Sequence, residues 1–149
     1  VGSLRLPRIG GQLLALDTMV FVYHLQAHPR YAGATTTILD ALEKNTATAV
    51  ASVISLLEVL VHPYRKGHAE LARRYRSLLA GLPGLRFVPL DEEIADLAAR
   101  LRAEQGLGAA DAAVVATAVQ AGATLFVTND RRLKRRRLPV RLLLLDDIA

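Results

Sequence analysis

Short apolar runs alternate along this chain with longer stretches of helical periodicity. β-Compatible runs fall at 12–16, 46–51, 86–88, 124–127 and 140–145. Between them, apolar residues recur at helical spacing or alanine accumulates, which predicts helices over 18–26, 36–43, 52–61, 67–80, 92–104 and 109–121. Within 92–104 the stripe is Ile94, Leu97, Ala98 and Leu101, with Asp91 or Glu92 placed to favour the positive helix start. Pro29, the pair His62-Pro63 and Gly122 read as stops after the first, third and sixth helices. Strands alternating with helices predict an α/β fold, with a mainly parallel sheet of about five strands covered on both faces. The unbroken apolar run Leu142-Leu143-Leu144-Leu145 suits a strand buried from both sides.

Composition adds limits. At 149 residues the chain predicts one domain, 1–149, with 1–11 read as an N-terminal extension or an expression remnant. Hydrophobic residues make up 52%, enough for a filled core. With no cysteine, disulfides, thiolate zinc sites and thiol nucleophiles are excluded. The longest uncharged apolar run ends at Glu58 and falls short of the roughly 20 residues a membrane span needs. No signal-peptide pattern opens the sequence, and a cytoplasmic protein without a membrane partner is expected. The net charge of +5 is bunched, above all in Arg131-Arg132-Leu133-Lys134-Arg135-Arg136-Arg137. Such clustering fits a polyanionic partner, nucleic acid first, as well as a solvated face.

Four carboxylates change the picture. Asp17 and Asp130 close apolar runs, at the strand ends where open α/β sheets bind ligands. Glu58 is the only charge between Ala47 and Val61 and lies among Val53, Ile54, Leu56, Leu57, Val59, Leu60 and Val61. A burial site is therefore expected for it, where it needs a cation, a metal or water. Asp111 falls in the first turn of the alanine-rich helix. Helix capping accounts for Asp17, Asp111 or Asp130 singly, and an arginine pair accounts for Glu58. Together they suit Mg²⁺ or Mn²⁺, hard ions that take oxygen ligands and activate water against a phosphodiester.

In order and spacing, these segments resemble the PIN-domain ribonucleases, most closely VapC-type toxins of toxin–antitoxin pairs. The matching stretches are Leu16-Asp17-Thr18-Met19-Val20-Phe21-Val22-Tyr23, Ser55-Leu56-Leu57-Glu58-Val59, Asp111-Ala112-Ala113-Val114-Val115-Ala116-Thr117-Ala118 and Thr128-Asn129-Asp130-Arg131-Arg132-Leu133. The resemblance implies a three-layer α/β/α, Rossmann-like sandwich and a Mg²⁺- or Mn²⁺-dependent endoribonuclease. Carried over, Asp17, Glu58 and Asp111 match the core metal-binding acids, and Asp130 the fourth. Thr128 and Asn129 match the polar residues of the site. Arg131, Arg132, Lys134 and Arg135 are the candidates for the RNA backbone. A small antitoxin and a homodimer are the implied partners. Met19 stands where an Asn is common, and Gly108-Ala109-Ala110 precedes Asp111 where many members carry bulkier or basic residues.

Other site chemistries have weaker footing. His24 and His28 share a helical spacing, but Pro29 follows and no acid lies between them. Glu58 and His62 share it without a zinc-protease motif. The four tyrosines read as packing residues before base-stacking ones. No P-loop, serine nucleophile elbow or dinucleotide fingerprint occurs. Two further functions stay open: a catalytically silent PIN-like module that binds RNA or protein, and a housekeeping PIN nuclease of RNA processing.

Overall fold

A computed structural model describes residues 9–149; residues 1–8, most of the expected N-terminal extension, lie outside the described residues. Of the rest of that segment, Ile9 is buried and the Gly11 N–H donates to the Thr46 carbonyl.

Five strands are predicted, and five are found among the described residues: β1 (Leu13–Leu16), β2 (Thr48–Ser52), β3 (Leu85–Val88), β4 (Leu125–Thr128) and β5 (Leu142–Leu144). They form one sheet in the order β3-β2-β1-β4-β5, and every pairing is parallel. Six helices connect them: α1 (Thr18–Leu25), α2 (Ala32–Glu43), α3 (Val53–Arg65), α4 (Ala69–Ala80), α5 (Glu92–Gln105) and α6 (Ala109–Gln120).

Side-chain alternation sorts the strands between two cores. Leu14 and Leu16 of β1, Ala49 and Ala51 of β2, and Leu125 and Val127 of β4 face a cluster with Val20, Phe21, Ile38, Leu42, Val59 and Leu79 of α1–α4. Ala15, Val50 and Phe126 face the other side, against Ile94, Ala98 and Leu101 of α5 and the buried face of α6. Strands buried from both faces need no polar alternation, which is why their sequences read as continuous apolar runs. The result is a three-layer α/β/α sandwich.

Two helix boundaries differ from expectation by more than two residues. α3 does not stop at His62-Pro63 but carries Pro63 inside its last turn and ends at Arg65. A proline so near the end forfeits one ladder bond, and Gly67 (φ +71°) supplies the left-handed residue that ends the run. α2 begins at Ala32 instead of 36, because Tyr31 is buried just before it and anchors the turn. Its ring stacks on Tyr23 at 4.5 Å and meets His28 at 4.7 Å.

In a parallel sheet with crossover helices, the helices run opposite to the strands. The N-termini of α1, α3 and α6 therefore gather at the carboxyl ends of the strands. β1 has a forward and a backward connection on either side of it, so the switch in strand order falls there.

Candidate active site

Strand register builds the centre. β1 pairs with β4 so that Leu16 lies opposite Val127. One residue further, the two strands deliver Asp17 and Thr128 side by side. The Asp17 N–H donates to the Val127 carbonyl at 2.9 Å, and Thr128 Oγ1 donates to Asp17 Oδ2 at 2.7 Å. The other oxygen, Oδ1, accepts from the Thr18 N–H at 2.8 Å, so Asp17 is also the N-cap of α1. The capping role weighed for this residue is therefore present, and Thr128 holds its second oxygen.

Next to it, Thr18 links α1 to α3. Its Oγ1 donates to Glu58 Oε1 at 2.9 Å and shares a 3.0 Å hydrogen bond with Ser55 Oγ. Thr18 and Ser55 are buried, whereas Glu58 is exposed. The expected burial of Glu58 is thus corrected. Leu57 and Tyr64 of the same helix face solvent, each 56% exposed, while Val59 enters the core, so the apolar run covers both an exposed and a buried face of α3. Neither Thr18 nor Ser55 was singled out from sequence; a Thr beside a strand-end Asp carries no signal until the fold brings α3 against it.

Asp111 stands in the first turn of α6, exposed, and its carboxylate meets no hydrogen-bond donor among the described residues. The loop before it is set by Gly106, whose left-handed backbone (φ +69°) ends α5 and turns the chain into α6. Burial pushes the Asp17 carboxyl above its ordinary pKa. The hydrogen bonds from Thr128 and Thr18 oppose that rise, and the Asp111 and Glu58 charges reinforce it. The three acids therefore feel one another, and none of them forms an ion pair among the described residues, although the Arg132 charge acts on Asp111 across a shared concavity.

Asp130 behaves otherwise. It caps the short 3-10 helix Arg131–Arg135 and is gripped by Arg132, with Nε at 3.0 Å from Oδ1 and Nη2 at 2.8 Å from Oδ2. Hydrogen bonding from Arg132 holds its carboxyl below the usual range, against some burial. Asp130 and Asp111 line one concavity of about 70 Å³ with Gly106, Gly108, Leu133, Arg132 and Arg136. Thr128 Oγ1 ties this turn to the centre by accepting from the Asp130 N–H at 3.1 Å.

Asn129 points away from the acids. Its Oδ1 accepts from the Asp146 N–H at 3.0 Å and its Nδ2 reaches Tyr23 Oη at 3.5 Å. It clasps the end of β4 to the segment after β5. Of the expected RNA-facing cations, Arg131 binds Asp146 and Lys134 binds Asp147, each at 3.2 Å. Arg135 is exposed and has no acidic partner among the described residues. His24 and His28 do not form a pair: His24 Nδ1 lies 3.4 Å from Thr35 Oγ1, and His28 packs in the ring cluster with Tyr23 and Tyr31.

Among the described residues no three acids or histidines are pre-gathered into a metal cage. The donor chemistry nonetheless suits a hard divalent ion. Asp17, Glu58 and Asp111 offer only oxygens, their charges oppose one another, and hydroxyls, not cations, fix the first two.

The PIN-domain family model matches residues 14–138. This chain belongs to the PIN-domain family. Solved structures share the PIN fold at low identity. VapBC2 from Rickettsia felis, bound to a DNA fragment from its promoter, superposes with a TM-score of 0.70 at 23% identity, covering 89% of this chain and 98% of that one. DNA-bound VapBC from Salmonella typhimurium gives 0.63 at 21%, over 90% and 98%. VapC20 from Mycobacterium tuberculosis, described as a sarcin-ricin loop cleaving toxin, gives 0.61 at 12%, over 76% and 86%. No curated protein sequence matches this chain.

Proposed function

We propose that this PIN domain is a divalent-metal-dependent endoribonuclease, the toxin of a toxin–antitoxin pair. One observation carries the proposal: Asp17, Glu58 and Asp111 share the carboxyl edge beside the switch point, and none of them is held in an ion pair among the described residues. Like charges so gathered destabilise the empty fold, and a bound divalent ion relieves them. Membership in the PIN family and likeness in fold to VapC structures support the nuclease and toxin parts of the reading.

Asp17, Glu58 and Asp111, with Asp130 as the fourth acid, would hold Mg²⁺ or Mn²⁺, and the ion would supply an activated water and a counter-charge to the scissile phosphate. The chain's own residues do the rest. Thr128 and the Thr18 amide lock the orientation of Asp17 from both oxygens. Thr18 and Ser55 hold Glu58 toward it. Arg135, exposed and without an acid partner among the described residues, provides charge for an RNA backbone. Among the described residues no helix is long and apolar enough to cross a membrane; we place the protein in the cytoplasm with its RNA substrate. A small antitoxin and a second copy of the chain are its proposed partners.

Labelled RNA incubated with the purified chain tests the reading. Cleavage is expected with Mn²⁺ and none with EDTA. Asp17→Asn and Asp111→Asn are each expected to reduce the rate at least about 100-fold, since even residues behind metal ligands are worth 10–100-fold. Metal-independent cleavage, or full activity in either variant, rules out this site. The catalytically silent alternative draws support from the Asp130–Arg132 pair, which occupies one of the four acids. It would show RNA binding without cleavage at any metal concentration.

A further inference from the structure

Arg132 is attached to the site twice, by separable bonds. Its backbone N–H donates to Asp130 Oδ1 at 3.0 Å, which builds the turn. Its guanidinium covers both oxygens of the same carboxylate while the side chain stays 81% exposed. The guanidinium can therefore leave without unmaking the turn, and an exposed ion pair has little net strength to hold it. Its charge also acts on Asp111, across the concavity that both acids line. Among its neighbours, Arg131 pairs with Asp146, Lys134 pairs with Asp147, and Arg136 donates to the Gln105 carbonyl.

We propose that Arg132 is a resident counter-ion of the acidic site, which competes with a divalent cation for Asp130 and so sets the metal concentration at which the site fills. The inference rests on reading the acids as a metal site. A carboxylate whose two oxygens both accept from a guanidinium has its better lone pairs engaged, so a metal must displace the fork. Arg132 is thus a positioning residue, acting through Asp130.

Calorimetric titration of Mn²⁺ into the full chain tests it without reference to cleavage. Arg132→Gln keeps the backbone bond and removes the fork, and is expected to bind Mn²⁺ about fivefold more tightly, the scale of an exposed pair. Arg135→Gln, which removes the same charge from the same 3-10 helix, is expected to stay within about twofold. Arg132→Lys keeps the charge without the fork and falls between wild type and Arg132→Gln. Binding detected only in Arg132→Gln also supports the proposal. Equal affinity in wild type and Arg132→Gln, or an equal gain in both Gln variants, overturns it and leaves the metal site standing. No Mn²⁺ binding by any variant overturns the metal site and the inference with it.

Discussion

Asp17 and Asp146 sit at the same edge of the sheet and live under opposite rules. Asp146 follows β5 and is surrounded by donors: Tyr31 Oη, Arg30 at 3.3 Å and Arg131 at 3.2 Å. The Tyr31 hydrogen bond first, then the two arginines, hold its carboxyl below the usual range. Asp17 follows β1 and meets two hydroxyl- or amide-bearing threonines and two other acids, and burial pushes its carboxyl up. The fold balances one acid with its own cations and leaves the other to be balanced from outside. That difference separates an acid neutralised within the fold from one left without a cation, and neither hydropathy nor position at a strand end reveals it.

The comparison is broken most strongly at Asp146. Asp146→Asn removes the charge that Arg30, Arg131 and Tyr31 share, and a thermal melt at pH 7 should show a loss of several degrees. A carboxyl with a depressed folded pKa adds stability above its unfolded value of about 3.8, lost as pH falls through the lower folded value. The gap between wild type and Asp146→Asn should therefore close in acid. A gap independent of pH would show that packing, not charge, sets this corner.

Asp17→Asn should act with the opposite sign. Because its folded pKa is raised, wild-type stability in EDTA declines as pH rises from about 3.8 through the higher folded value. The variant escapes that decline and should melt a few degrees higher at neutral pH. Excess Mn²⁺ should reverse the order, since a ligand at 100 times its Kd stabilises the native state by about 2.7 kcal/mol and the variant forgoes it. A variant less stable than wild type in EDTA would mean that Asp17 works chiefly as a helix cap.

The smallest effect on melting is expected at Thr18, which separates the two corners most finely. Thr18→Val preserves shape and removes one hydroxyl shared by Ser55 and Glu58, at a cost of about 1 kcal/mol. RNA cleavage should fall about 10-fold, as for a residue that orients a metal ligand. Unchanged cleavage would detach Glu58 from the site.

Much of this was legible in the chain. Apolar runs located all five strands because strands covered on both faces leave nothing polar to confuse them. The ordered acids pointed to the family, and Asp91 capped α5 as its position implied. What sequence could not convey was partnership. The basic run after Asp130 looked like free charge, yet Arg131, Arg132 and Lys134 each have an acid, two of them supplied from beyond β5. Asn129 looked like part of the acid cluster and is a clasp, because its neighbours come from α1 and the segment after β5. Glu58 looked buried because its neighbours along α3 are apolar, although Leu57 beside it faces outward. Pro63 looked like a stop because its cost was reckoned for a helix interior, and it lies in the last turn.

The Asp17 amide bonded to the Val127 carbonyl has a consequence for how the protein breathes. It joins the central strand β1 to β4, so its proton is expected to exchange with solvent only when these two strands part. The Asp130 amide hangs on a threonine hydroxyl at the rim and exchanges through local opening. In deuterium the two halves of the site would therefore label on separate clocks, one slow, the other fast and local.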